Sequence, residues 1–461
     1  MSIVFSISCL GEQGLSRCGN ISRRSEGPGG AAAKTGAAAL STAGGRLAKA
    51  WDWVGIVGTG QSLSVGAEGV PIEAQGKPTH NLVLSLGRAT VPPFDPTSSA
   101  LSMAPLLEPI RPRATTYPSA YPANLYGETP HVAMADQISA LFRQVSSDDY
   151  ITVHTIVGES GQPMSVIDKS AIENVAGATS TGRAYTATLF EATAVARLAR
   201  AAGRTYGIGA IVLTHGESDA SNVAYEQALR RLRSDYSRDL AAITGQTTSI
   251  PMLVSQQQSV PSAIGTTSAS TLAQWRVGLD RSGIVCSGPK YQYQYSPDGV
   301  HLTARGYEQL GEKYAEVYFR VVALGENWQP LQPTRAERAG NVLTIRFHVP
   351  VPPLAWDDSF APPHRTGLFE WARGRGFEVR GGGAPVPITS VTIVGDSVRI
   401  VCGKDLSGGD VEVGYALTAV GTPSPGGTTR WGQLRDSDPV VGTTTGATQP
   451  NYCVTFSLPV P

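Results

Sequence analysis

The chain has 461 residues, room for two or three domains, and its 37 basic and 37 acidic side chains cancel. With 16% of residues charged there is no global field to gather nucleic acid or an anionic lipid surface, which favours a neutral or weakly charged substrate. Five cysteines without a CxxC pair argue against a disulfide scaffold and a structural zinc site, and 52 glycines with 32 prolines point to a turn-rich, partly β chain rather than a helical bundle.

Met1 to Leu10 is a weak apolar start without a basic leading segment, too short to span a bilayer. From Gly11 to Lys49 the composition is rich in Gly, Ala and Ser, so residues 1–50 are expected to be a flexible leader or linker. Order is expected from Trp51. Val54 to Gly58 is a short buried-strand pattern running into the tight loop Thr59-Gly-Gln-Ser62. Leu82 to Tyr126, rich in Pro and Ser, has little periodicity and is expected to be a long loop bordering the substrate cleft.

Further strands are expected at Ile151–Val157, Gly209–Thr214 and Ile250–Ser255. Between and after them lie helical stripes: Leu189, Ala192, Ala196 and Ala199; Tyr225, Leu229, Leu232, Tyr236 and Leu240; Tyr307, Leu310, Tyr314, Val317, Val321 and Leu324, with Gly325 as a stop. This alternation over 51–329 predicts an open α/β/α sandwich with a parallel sheet, whose ligands would sit at the carboxyl ends of the strands. After Gln329-Pro330 the β-type runs Val342–Val349, Val391–Val394, Val398–Cys402, Val411–Val420 and Cys453–Leu458 predict a separate β-sandwich over 330–461. Cys402 and Cys453 lie in this part, as an exported disulfide or as two buried thiols.

Three segments place reactive groups at strand ends. In Gly58-Thr-Gly-Gln-Ser-Leu63 the glycines permit a turn that exposes the Ser62 hydroxyl above a sheet. In Leu213-Thr-His-Gly-Glu-Ser-Asp219 a polar cluster closes a buried strand, which as a purely structural feature would cap a helix. In Ser296-Pro-Asp-Gly-Val-His-Leu-Thr303 a carboxylate three residues before an imidazole can hold Nδ1–H while Nε2 faces a nucleophile. The aromatics of Tyr291-Gln-Tyr-Gln-Tyr295 are either a sugar-stacking surface or the inward side of a half-buried strand.

In motif and order the three segments resemble the blocks of SGNH/GDSL hydrolases, with a Gly-Gln-Ser first block like that of the sialate O-acetylesterase-like and acetylxylan-esterase-like carbohydrate esterases. The resemblance covers about 51–325. It implies a metal-independent serine esterase with no cofactor, in which Ser62 is the nucleophile and Asp298 and His301 complete the triad. It also implies an oxyanion hole from the Ser62 backbone N–H, a glycine in Val157-Gly-Glu-Ser-Gly-Gln162 (Gly161, with Gly158 as second choice) and a side chain of the third block, here His215 where relatives carry Gln. Gln61 is a supporting residue, and Glu217 either orients His215 or His301 or caps the following helix. Acetyl esters on carbohydrates are the implied substrates, which leans toward a secreted or periplasmic location. A non-carbohydrate acyl ester or thioester, or a non-catalytic carbohydrate-binding protein, are the alternatives, and His80, His131, His154, His348 and His364 carry no motif.

Overall fold

A computed structural model describes residues 50–74, 80–85, 94–110, 127–147, 149–173, 183–424 and 426–461. The leader expected over 1–50 therefore lies almost wholly outside the described residues. The central sheet is built from β1 (Trp53–Gly60), β2 (Leu82–Ser85), β3 (Ser102–Pro105), β4 (Ile151–Ile156), β5 (Tyr206–Thr214), β6 (Met252–Gln256) and β7 (Ile284–Pro289). Its order is β3-β2-β4-β1-β5-β6-β7. All neighbours are parallel except the β2/β3 pair at one edge.

Five main helices accompany the sheet: α1 (Pro130–Val145), α2 (Arg183–Ala201), α3 (Tyr225–Thr244), α4 (Ala269–Arg276) and α5 (Ala304–Tyr318). The side-chain period of two explains how both faces are used. Val83 and Ile156 turn to one side and pack with Val132 and Ala135 of α1. Leu84 and Val153 turn to the other, into the cluster that holds Ala192 and Val195 of α2 and Leu229, Leu232 and Tyr236 of α3. Each such buried side chain contributes roughly 1.5–3 kcal/mol. Buried on both faces, β5 is apolar along nearly its whole length and all nine residues are buried, as a central parallel strand requires.

The helix ends follow from local chemistry. Thr129 and Thr303 accept hydrogen bonds from the first turns of α1 and α5, and Gly245 closes α3 in the left-handed conformation. Pro130 at the first position of α1 has no N–H to leave unpaired.

From Gln332 onward the structure is antiparallel. One four-stranded sheet runs β13-β14-β9-β8 and a second β12-β11-β15-β17, with a two-stranded ribbon β10/β16. These are β8 (Gln332–Ala339), β9 (Val342–His348), β10 (Ala355–Trp356), β11 (Phe377–Gly381), β12 (Ala384–Pro385), β13 (Ile388–Val394), β14 (Ser397–Cys402), β15 (Val411–Tyr415), β16 (Leu434–Arg435) and β17 (Phe456–Val460). In β9, Leu343, Ile345 and Phe347 are buried while Thr344 and Arg346 are exposed. Phe347 meets Phe377 and Phe456 of the other sheet at ring distances of 6.4 and 6.2 Å.

The antiparallel part is tied to the α/β part by paired hydrogen bonds. Gln256 donates to Thr455 O (2.9 Å) and accepts from Thr455 N (2.8 Å). On α5, the Glu312 carboxylate accepts from the backbone of Thr444 and Thr445, the Thr445 hydroxyl and the Gln449 amide, while Lys313 donates to Gln449 O and Asn451 Oδ1.

One expectation needs correction, and one pair of alternatives is decided. Leu82 to Tyr126 is not one long loop, because β2 and β3 lie within it; residues 86–93 and 111–126 fall outside the described residues. Both strands are four residues long, and Ser-Met-Ala-Pro of β3 lacks the β-branched signature, so pairing in the sheet rather than local propensity makes them strands. Cys402 and Cys453 are separate buried free thiols, not a disulfide.

Candidate active site

β1 ends in Gly60, whose φ of +139° and whose approach to Thr214 exclude a side chain: a Cβ would stand 2.1 Å from Thr214 O. The chain then turns through Gln61 into a short 3-10 turn, Ser62–Val65, closed by Gly66 in the left-handed conformation. Gln61 is locked there. Its carbonyl accepts from Ser64 N and Ser64 Oγ, and its side-chain oxygen accepts from Ser218 N at 3.3 Å. This fixes Ser62 at the carboxyl end of the strand that lies between β4 and β5.

After β7 the chain returns over the same end of the sheet. Asp298 Oδ1 accepts from Val300 N (2.9 Å), His301 N (3.0 Å) and Ser296 Oγ (2.9 Å), so the loop folds around its own carboxylate. Asp298 Oδ2 stands 2.5 Å from His301 Nδ1, and His301 Nε2 stands 2.8 Å from Ser62 Oγ. The structure thus brings together in hydrogen-bonded series three residues that span 239 positions. Partial burial pushes the Asp298 carboxyl up, but the hydrogen bonds from the His301 ring, the two backbone amides and Ser296 outweigh it and hold the group at about 2. Asp298 is consequently an anion throughout the ordinary pH range. A carboxylate on Nδ1 fixes the imidazole with its Nε2 lone pair toward Ser62, which can then accept the hydroxyl proton.

The other expected residues divide. Gly161 occupies a turn at φ +70°, with open space where a Cβ would lie. Gly158 instead packs against the Ser62 loop: a Cβ there would come 2.3 Å from Ser64 Oγ and 3.1 Å from Gln61 O. His215 does not fit the oxyanion role expected of it. It is fully buried, its Nε2–H donates to Gln162 O at 3.0 Å and its Nδ1 accepts from Tyr225 Oη at 2.7 Å, so no ring N–H is left for substrate. Burial lowers its pKa, which keeps it neutral and sustains this donor–acceptor pattern.

Glu217 is also differently engaged. It accepts no hydrogen bond from His215 or His301; its Oε1 accepts from Lys290 Nζ at 2.8 Å, with both side chains buried. Burial pushes the Glu217 carboxyl up, and the Lys290 charge reverses this and holds it low. Lys290 was not singled out in the sequence, although a lone lysine directly after a buried strand was the available signal. The tyrosines at 291, 293 and 295 are buried while Gln292 is half-buried and Gln294 exposed, so the run alternates along a half-buried segment and is not an exposed aromatic face. Tyr291 donates instead to Cys453 O at 2.7 Å. Among the described residues no group of three or more His, Cys, Asp or Glu side chains is arranged to hold a metal ion, and no helix is long and apolar enough to cross a membrane.

The fold class is therefore mixed α/β, a mostly parallel central sheet joined to separate antiparallel sheets. It is similar to the structure of a carbohydrate acetylesterase from Xanthomonas citri, at 14% identity and a TM-score of 0.53, over 88% of this chain and 80% of that one. A protein from Arabidopsis thaliana is similar at 17% identity and a TM-score of 0.41, over 59% of this chain and 99% of that one. No protein-family model matches the chain, and no curated protein matches it. At these identities the likeness is one of fold.

Proposed function

We propose that the chain is a serine carboxylic-ester hydrolase of the SGNH/GDSL type that removes O-acetyl groups from a carbohydrate. The catalytic part would be a three-layer α/β/α domain over 51–329, with an accessory β-sandwich over 330–461. The observation that carries the proposal is the unbroken series Ser62–His301–Asp298 at the carboxyl end of a parallel sheet. Carbohydrate acetyl esters are the favoured substrates because of the motif resemblance and because the similar Xanthomonas citri structure is that of a carbohydrate acetylesterase.

In this reading His301 Nε2 takes the proton from Ser62 Oγ as the oxygen attacks the ester carbonyl. The tetrahedral intermediate collapses with transfer of that proton to the departing sugar oxygen, leaving an acetyl-Ser62. Water, deprotonated by His301, then releases acetate and restores the hydroxyl. Asp298 holds and stabilises the imidazolium formed at each step. The Ser62 and Gly161 backbone N–H groups are the proposed oxyanion donors, each worth about 3–4 kcal/mol in the transition state.

The test is hydrolysis of p-nitrophenyl acetate, butyrate and octanoate, and acetate release from acetylated xylan, by the unaltered chain and by Ser62→Ala. Acetyl-selective activity that disappears in the variant is the expected result. A folded, unaltered chain inactive on every ester would overturn the proposal.

A further inference from the structure

A polar cavity of about 150 Å³ opens where the α/β part meets the antiparallel part. Its walls come from both. Gln292 and Tyr293 belong to the segment between β7 and Asp298, Gln309 lies on α5 beyond His301, and Asp357, Arg435 and Tyr452 come from the C-terminal region. Cavities at such seams are common ligand sites.

The wall chemistry is specific. Asp357 and Arg435 face one another with Nε 4.0 Å from Oδ2, too long for a tight ion pair, and both remain partly exposed. One anion and one cation leave the cavity without net charge. Asp357 accepts from the Tyr452 hydroxyl, which orients the carboxylate. Gln292 donates its amide to Pro289 O at 2.9 Å and its side chain also engages Tyr293, which holds this wall of the cavity in place. Gln309 is half-buried and supplies both a donor and an acceptor. Planar carboxylate, guanidinium and amide groups that offer paired donors and acceptors, without net charge, suit vicinal hydroxyls. They suit neither a phosphate, which needs excess positive charge, nor an apolar chain.

Its position relative to the triad is also defined. Gln309 stands six residues beyond the Thr303 cap, about 9 Å along α5 at 1.5 Å per residue. Gln292 lies six residues before Asp298. The cavity is therefore flanked on both sides by chain leading into the Asp298–His301 loop.

We propose that this cavity is a glycan subsite that holds a neutral, hydroxyl-bearing sugar unit of the polymer whose ester is presented to Ser62. The class of ligand rests on the carbohydrate-ester reading above. Occupancy would use binding energy remote from the reacting bond to position the acetyl group, and would give the C-terminal region a part in substrate choice.

The experiment is isothermal titration of the full-length protein with unacetylated xylohexaose, mannohexaose and an oligogalacturonide. These ligands carry no ester, so binding is read without turnover. The same titrations are made on Gln309→Trp, which fills the cavity, and on Gln309→Ala, which removes one donor–acceptor pair and is tolerated on a helix surface. Expected are binding of a neutral hexasaccharide, its loss in Gln309→Trp and about tenfold weakening in Gln309→Ala, the order expected for one hydrogen-bonding group. Absence of binding of either neutral oligosaccharide, preferential binding of the oligogalacturonide, or undiminished affinity in a folded Gln309→Trp each overturns the proposal. Hydrolysis of p-nitrophenyl acetate by the unaltered chain, measured alongside, reads the esterase proposal separately, since that ester carries no sugar.

Discussion

Two histidine networks lie close to the same strand and do opposite things. At its carboxyl end, His301 bridges Asp298 and Ser62 with its side chain 19% exposed and that of Asp298 41% exposed. Beneath it, between β4 and α1, His131 and His154 meet through their Nδ1 atoms at 2.9 Å with no exposure. His154 Nε2–H donates to Thr152 Oγ1 (3.0 Å), whose hydroxyl donates to Asn81 Oδ1 (2.8 Å). The His131 ring presses against Gly58 of β1, where a Cβ would come 2.2 Å from Nε2. The sealed pair has every visible polar neighbour inside the fold and nowhere to send a proton. The open histidine has one nitrogen facing the Ser62 hydroxyl, and its own ring is partly exposed. Titratable chemistry therefore follows access as much as residue type, and a histidine without a route to solvent is part of the packing.

The largest effect that tests this contrast is Ser62→Ala, expected to lower kcat by at least about 10⁴-fold in steady-state ester hydrolysis while leaving the melting temperature nearly unchanged. Asp298→Asn is expected to cost on the order of 10³–10⁴-fold in kcat, because the amide can favour the imidazole tautomer that presents N–H to Ser62. A comparable loss of activity in His131→Asn after correction for the folded fraction would break the contrast. That variant is instead expected to lose about 2–4 kcal/mol of stability in urea titration, as a disrupted buried network does.

The Glu312 clamp sharpens the same point without a histidine. Glu312→Ala strands four donors from the Thr444–Gln449 segment and should cost about 3 kcal/mol. The smallest effect concerns pH. Burial lowers the His131 pKa to about 3 and keeps His154 low, where the neighbouring ring adds to the effect. An unfolded histidine titrates near 6.5, so the contribution of the pair is complete above that pH and is lost progressively as pH falls toward 3. The Asp298 contribution is present above the ordinary carboxylate range and is lost as pH falls toward 2. Burial raises the carboxyls of Glu108, Glu128, Glu308 and Asp438, which stabilise the fold as pH falls in both chains, so the histidine pair is read as a difference: the gap in melting temperature between the unaltered chain and His131→Asn should narrow between pH 7 and 4.5.

Ser62, Asp298 and His301 were legible because each is set by short-range grammar: a glycine turn after a strand, and a carboxylate three residues before an imidazole. The parallel strands β1, β5 and β6 were legible for a related reason, since strands buried on both faces read as largely apolar runs, and β4 (Ile-Thr-Val-His-Thr-Ile) was legible from its β-branched residues. His215 was misread because what decides its role comes from afar: Gln162 and Tyr225 claim its nitrogens, and neither is visible in the local motif. Lys290, which engages Glu217, is 73 residues away from it. Helix α1 went unpredicted although Thr129-Pro130 is a good start signal, because its His131, Gln137 and Ser139 are buried among apolar neighbours and blur the stripe. The edge strands β2 and β3 owe their form to pairing partners.

The strand order has a consequence for how the site comes apart. β1, which delivers Ser62, has hydrogen-bonded neighbours on both sides, whereas β7, which leads to Asp298 and His301, is the last strand in the order. Amide hydrogens of β1 should exchange with deuterium among the slowest in the molecule and those of β7 sooner, since local opening starts where a strand has one neighbour. Brief excursions at the β7 edge would carry His301 away from a serine that has not moved, so under mild denaturant the proposed ester hydrolysis should fade before the sheet does.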